Sequence, residues 1–199
     1  MKFTKSLIKG KLVKRYKRFF TDIKLNQETI VAHCPNTGSM MGLLDEGNEV
    51  FVSKNDDPKR KLKYTLEIIK VKKNLVGVNT HFANKIAFHG LSNNLVKEVK
   101  NTNNIKPEVF FDKETRFDFL VEKDNQKTFV EVKNVTLSRK DKLAEFPDAV
   151  TSRGSKHLKT LIEATKKGYK TYLLFLVQIQ GVTDFKIAKD IDKEYYENY

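Results

Sequence analysis

Glu131 and Lys133 stand two residues apart in "TFVEVKNVTL", residues 128–137, a stretch of alternating and β-branched side chains. In a strand they project from one face together with Phe129, while Val130 and Val132 point the other way. Asp118 lies thirteen residues upstream in a second apolar run, and the polar turn "KDNQK" between the runs predicts a hairpin. In that hairpin Asp118 falls beside Glu131. Two carboxylates so placed repel each other, and a divalent cation between them removes the repulsion. Mg2+ or Mn2+ suits hard oxygen ligands and keeps several waters, one of which could attack a phosphate. Lys133 on the same face would orient or deprotonate that water, or offset charge in the transition state. The chemistry to test is metal-dependent phosphodiester hydrolysis, with Asp118 and Glu131 as metal ligands and Lys133 as their catalytic partner.

The short pattern has a plain alternative. Acid-x-Lys also occurs at Asp22–Lys24, Asp57–Lys59, Glu98–Lys100 and Asp184–Lys186. Only the copy at 131–133 combines a hairpin, apolar alternation and an upstream acid. On spacing alone a solvated Glu/Lys face explains it equally well. Pro147–Asp148 follows the motif instead of preceding it and is a decoy, and Glu108 is a third acid by position only.

"TSRGSKHL" sets Arg153, Lys156 and His157 around a predicted helix start, with Ser155 as the expected N-cap. Cations beside unpaired helix N–H groups make a phosphate site, or simply a basic solvated helix start. "AHCPNTGSM" holds His33 and Cys34, but one Cys and scattered His lack the paired spacing of a structural zinc site. A tight loop shaped by Asn36 and Gly38 is the better reading there than a nucleophilic Cys34.

These residues need a scaffold, and the chain supplies two textures. Strands are expected over 7–13, 19–25, 29–34, 49–54, 64–71 and 75–79, separated by turn-rich segments. Short strands in under a hundred residues predict a small OB-like β-barrel. Beyond residue 80, "HFANKIAFHGL" has helical spacing, the polar stretch "KNTNNIKP" follows, and the hairpin occupies 116–122 and 128–137. "SKHLKTLIEATKKG" reads as a helix stopped by Gly168, and "YKTYLLFLVQI" as a strand buried on both faces. The expected domains are therefore 1–82, a nucleic-acid-binding barrel, and 83–199, an α/β domain.

Charge points to the partner. Lys and Arg total 38 against 25 acids, a net charge of +13 with pI near 9.6. Residues 1–20 carry eight basic side chains and no acid, and Lys59, Arg60, Lys61 and Lys63 form a second cluster. Such patches attract polyanions because neutralised phosphates release counterions, so DNA bound mainly through its phosphates is the expected partner. Arg15, Arg18, Arg60, Lys61, Arg153, Lys156 and His157 are the expected contacts. No apolar run suits a bilayer span or a signal peptide, so no membrane partner is expected. The single cysteine fits a cytoplasmic protein, and the sequence leaves a homodimer open.

Several longer motifs occur together: "RYKRFF", "AHCPNTGSM", "PKRKLKYTLE", "VNTHFAN", "RFDFLV", "VEVKNVTL" and "FPDAVTSRGSKHL". With them the chain resembles the sugar fermentation stimulation protein A (SfsA) family along nearly its whole length. The resemblance implies an OB-like domain followed by a restriction-endonuclease-like domain of the PD-(D/E)xK type. It further implies nonspecific DNA binding and a link to regulation of sugar (maltose) metabolism. By position it makes Asp118 the first acid, Glu131 the second and Lys133 the lysine, with Phe117 where the motif's name has proline. It also implies further residues beyond "IDKEYYENY". A noncatalytic DNA-binding regulator, or a single-strand or RNA-binding module, are the alternative functions.

Overall fold

The computed structural model describes residue 3 and residues 5–199. The protein is mixed α/β, an N-terminal OB-type barrel followed by an α/β domain. Contacts divide it into two compact units that are discontinuous in sequence. The first comprises 1–81, 135–149 and 177–188; the second comprises 82–134, 150–176 and 189–199. A change of unit falls between residues 81 and 82, close to the expected boundary, but the chain then re-enters the first unit twice.

In the first unit, β1 (Ile8–Tyr16), β2 (Phe20–Leu25), β3 (Glu28–His33), β4 (Glu49–Lys54), β5 (Tyr64–Val71) and β6 (Asn74–Gly77) run in the order β3-β2-β1-β4-β5-β6. A parallel pairing of β3 with β5, Ala32 with Tyr64 and His33 with Thr65, closes the sheet into a barrel. Leu12, Ile23, Val50, Val52, Leu66 and Ile69 are buried in its strands, with the alternation of β5 broken at the register shift between Leu66 and Ile68. β1 serves both sides of the closure. Its first half pairs with β4 and its second with β2, and Gly10 sits where they crowd. A Cβ there would lie 2.6 Å from Leu25 Cδ2 and 2.9 Å from the Lys24 carbonyl, so only glycine fits. β10 (Leu137–Lys140), β11 (Leu143–Phe146) and β13 (Asp184–Ile187) form a second small sheet in this unit, with β11 and β13 parallel. The sequence reading did not anticipate it. The segment 177–180 joins it to the barrel: Gly77 N–H donates to the Gln178 carbonyl, and Val76 bridges Ile179.

The second unit is a sheet of order β12-β9-β8-β7 between two helices. Its strands are β7 (Asn104–Phe110), β8 (Arg116–Lys123), β9 (Gln126–Val135) and β12 (Lys170–Val177). Ala87 and Leu91 of α1 (Thr80–Ser92) pack on Val121, Val130 and Val132. On the opposite face Leu161 and Ala164 of α2 (Ser152–Lys166) pack on Phe117, Leu120 and Phe129. The alternation read from the sequence therefore feeds two cores, one from each side of β9. A short helix, α3 (Lys193–Asn198), ends the chain.

Three expectations need correction. The N-cap of α2 is Thr151, whose hydroxyl accepts from Gly154 N at 3.0 Å, and Ser155 is buried inside the helix. The second half of the polar stretch before the hairpin opens the edge strand β7; Pro107 fits there because an edge strand has one unpaired side. β12 lies at the other edge of the sheet and is half-buried along most of its length instead of fully buried. Gly168 does follow α2, at φ +88.

Candidate functional site

The hairpin is β8 and β9, in the register Phe119↔Val130, Leu120↔Phe129 and onward to Lys123↔Gln126. Continued by one step, that register sets Asp118 opposite Glu131. The ladder stops short of that step. Phe117 packs with the α2-side core while Phe119 packs with the α1-side core, although residues two apart in a regular strand share a face. On the other side of β8, Glu108 takes φ +56 and leaves the ladder with Asp118, its carboxylate turned to Arg116 at 2.8 Å. Asp118 therefore sits where the sheet opens on both sides.

Both carboxylates are held by named donors. Asp118 Oδ1 accepts from Asn84 Nδ2 of α1, and Oδ2 accepts from the Val132 backbone N–H, each at 2.7 Å. Glu131 is 4% exposed, and its Oε1 accepts from Lys133 Nζ at 2.7 Å and His157 Nδ1 at 2.5 Å. Arg153 Nε donates to His157 Nε2 at 3.5 Å, so the ring is held from both sides. Glu131 Oε2 is equally buried and has no hydrogen-bond partner.

Electrostatics drive the two acids apart. Burial, then the facing Glu131 charge, raise the Asp118 pKa above the usual carboxylate range, and its hydrogen bonds only partly offset this. For Glu131 burial is again the largest influence and acts upward. The His157 and Lys133 contacts together outweigh it and hold the group below its ordinary value. Tyr195 of α3 lies buried nearby, its phenol pushed up by burial and then by Glu131.

A divalent cation fits this arrangement in one particular way. A buried carboxylate oxygen without a donor is an uncompensated acceptor, and Glu131 Oε2 is one, on a group whose charge also acts on Asp118. Among the described residues no group of three or more His, Cys, Asp or Glu side chains could hold a metal. The protein would thus supply two carboxylates and leave the remaining positions to water and substrate oxygens, the habit of Mg2+ sites.

The expected phosphate contacts are scattered. His157 is buried on Glu131 and is part of the carboxylate cluster instead of a surface contact. Arg15 spends its guanidinium on backbone carbonyls, reaching Arg18 O, Gly38 O and Asn36 O at 3.1, 3.0 and 2.7 Å. It anchors the loop after β3. Asp148, the decoy acid, holds the same loop by accepting from Met40 N at 2.8 Å. Cys34 is fully buried there, its thiol directed at Asn36 O and Met40 Sδ, which argues against a nucleophile. Arg18 and Lys61 are exposed, Arg60 is half-buried, and Lys156 makes an exposed pair with Glu114 at 2.6 Å. Asn84 and Asp192 were missed. Nothing in spacing ties Asn84 to Asp118, whereas Asp192 could have been read as the N-cap of "KEYYEN", and it also accepts from Thr151 N at 2.8 Å.

Barrel and helix-flanked sheet define a two-unit protein, an OB-type domain followed by an α/β domain. Residues 13–78 match the model of the SfsA N-terminal OB domain, and residues 81–199 match that of the sugar fermentation stimulation protein RE domain. The chain belongs to the sugar fermentation stimulation protein family. It is 83% identical over 199 residues to a sugar fermentation stimulation protein homolog of Pelagibacter ubique (strain HTCC1062), covering 100% of this chain and 86% of the relative. The homolog of Marinomonas sp. (strain MWYL1) is 44% identical over 202 residues, covering 100% of this chain and 78% of the relative. Among solved structures, Pyrococcus furiosus SfsA in complex with Ca2+ superposes with a TM-score of 0.88 at 24% identity, covering 100% of this chain and 87% of that one. At that identity the likeness concerns the fold. Among the described residues, no helix is long and apolar enough to cross a membrane.

Proposed function

We propose that this protein is a nonspecific, cytoplasmic DNA-binding protein whose second unit hydrolyses phosphodiesters with the help of Mg2+ or Mn2+. One observation carries the reading: Glu131 Oε2 is buried and has no hydrogen-bond partner while Lys133 and His157 both occupy Oε1, and the Glu131 charge acts on Asp118. Asp118 and Glu131 would hold the cation, which when bound would supply Lewis acidity and lower the pKa of coordinated water. His157 and Lys133 keep Glu131 ionised and fix the direction of its second oxygen. Asn84 and the Val132 N–H do the same for Asp118. Lys133, whose side chain is 12% exposed, can shift its ammonium from Glu131 to a phosphate oxygen and offset charge as it develops. The structurally similar Pyrococcus protein was solved with a divalent ion, Ca2+, which accords with this reading. DNA would be held mainly through phosphates on the basic surface, and the family name suggests that this serves control of sugar metabolism.

The rival is a DNA-binding regulator that keeps the fold without cleaving. It is favoured by the shortage of ligands, since among the described residues no group of three or more His, Cys, Asp or Glu side chains could hold a metal. Cleavage decides between them. With Mg2+ or Mn2+ the wild type should nick duplex or single-stranded DNA slowly, and EDTA should stop it. Asp118→Asn, Glu131→Gln and Lys133→Ala should each abolish nicking and keep most DNA affinity. Wild-type protein that leaves both substrates intact in both metals establishes the regulator. Nicking that survives all three substitutions assigns the activity elsewhere.

A further inference from the structure

The barrel unit carries a cluster of basic side chains of its own. His33 is the last residue of β3 and is half-buried. Its ladder partners are Phe20 of β2 and Thr65 of β5. Thr65 is also the acceptor for Arg60, whose Nη2 reaches its hydroxyl at 3.3 Å from the β4–β5 loop. His81, on the first turn of α1, presents its ring to His33 edge to face, with centroids 6.5 Å apart. Three basic side chains from three segments therefore meet at the end of β3, all within the first unit. Among the described residues no carboxylate pairs with any of them. Elsewhere in the same unit lysines do find acids, as in Lys9–Glu49 and Lys5–Asp56. The first turn of α1 contains no acidic residue either.

We infer that this spot is a phosphate-binding subsite of the nucleic-acid surface, formed by His33, Arg60 and His81. Converging cationic and N–H donor groups without an internal acid are what a phosphate oxygen recruits. Burial first, then His81 and Arg60, lower the pKa of His33, and a bound anion would offset the two charge influences. A nucleotide, more than a free phosphate, suits the surroundings. The β1–β2 turn places exposed Phe19 beside the subsite: the Cys34 N–H donates to the Phe19 carbonyl at 2.8 Å, and Phe20 is paired with His33. Phe19 is 48% exposed and offers a ring on which a base can stack, flanked by exposed Lys17 and Arg18. The choice of a nucleic-acid phosphate rests on the function proposed above; the anion site itself does not.

The test uses the full chain and two probes, inorganic phosphate and a short single-stranded oligonucleotide, with imidazole resonances followed by NMR. Phosphate should perturb His33 and His81 and leave His89, near the other end of α1, unchanged, relative to chloride at equal ionic strength. Arg60→Gln and His81→Gln should remove that response and weaken oligonucleotide binding by about three- to tenfold, and Phe19→Ala should weaken the oligonucleotide without altering the phosphate response. If phosphate leaves both rings unperturbed, the subsite is overturned whether or not DNA binds. If phosphate perturbs them but no oligonucleotide binds at low salt, the anion site stands and the DNA reading falls. If DNA binds and neither Arg60→Gln nor His81→Gln weakens it, the subsite does not belong to the nucleic-acid surface.

Discussion

At the residue scale, carboxylates in this protein differ by what donates to them. Glu131 keeps one oxygen without a partner, whereas Glu145, equally buried, is saturated. Glu145 receives Arg139 through Nε and Nη2 at 2.9 and 2.8 Å and Lys186 at 3.2 Å, and these contacts, Arg139 foremost, pull its pKa from 4.5 to about 2. The first oxygen pattern suits a ligand and the second suits architecture. A group with a depressed folded pKa stabilises the fold fully above its unfolded value and loses that contribution as pH falls through the folded one. Glu145→Gln should therefore cost about 2 kcal/mol at pH 7, reduced from a fully buried pair because Arg139 and Lys186 are partly exposed. In urea denaturation the gap from wild type should narrow between pH 4.5 and 2. A gap that stays constant over that range would mean the ion pairs are not its source. The sequence made Asp118, Glu131 and Lys133 legible because strand periodicity and turn length fix a hairpin register. It could not reveal His157 or Asn84, since their contacts depend on how each helix docks on the sheet.

At the element scale, α2 carries His157 and Arg153 to the site, so its first turn has to be well set. Thr151→Ala removes the cap and should lower stability by about 1 kcal/mol, read as a drop in melting temperature. Gly154→Ala is the sharper experiment. Alanine is the better helix former, yet its Cβ would fall 2.7 Å from Thr151 Cγ2, 2.9 Å from Thr151 Oγ1 and 3.1 Å from the Tyr195 ring. It should destabilise, and the cost should shrink when Thr151→Ala is already present, because two of the three crowded atoms are gone. Additive effects would show that the crowding does not govern this turn. The N-cap was misread because "TSRGS" offers several capping residues in a row. The edge position of β12 was hidden for another reason: an apolar run reports that a strand packs, and the sheet order β12-β9-β8-β7 is decided by distant pairings.

At the scale of the whole molecule, 38 basic residues against 25 acids predict binding dominated by counterion release. Affinity for unrelated duplexes should fall linearly in log K against log salt. Lys61→Ala and Arg18→Ala, both at exposed positions, should each make that slope shallower by about one. Arg15→Ala should instead lower thermal stability, because its guanidinium is spent on three carbonyls. A steep affinity loss with unchanged stability for Arg15→Ala would return it to the binding surface. The two basic clusters were visible in the sequence; which of their members are already engaged was not.

The threading of the chain has a practical consequence for genetics. Polypeptide passes between the two units at five points, after residues 81, 134, 149, 176 and 188. A stop codon after the first passage and before residue 184 leaves the first unit without β13, and one before residue 137 leaves it without its whole second sheet. Gln178 and Ile179, which latch onto Gly77 and Val76, are lost by any truncation before residue 178. Deletion alleles therefore cannot assign the proposed DNA binding to one half and the proposed hydrolysis to the other. Loss-of-function screens should return truncations with a single undivided phenotype, and point substitutions are the way to separate the two proposed activities.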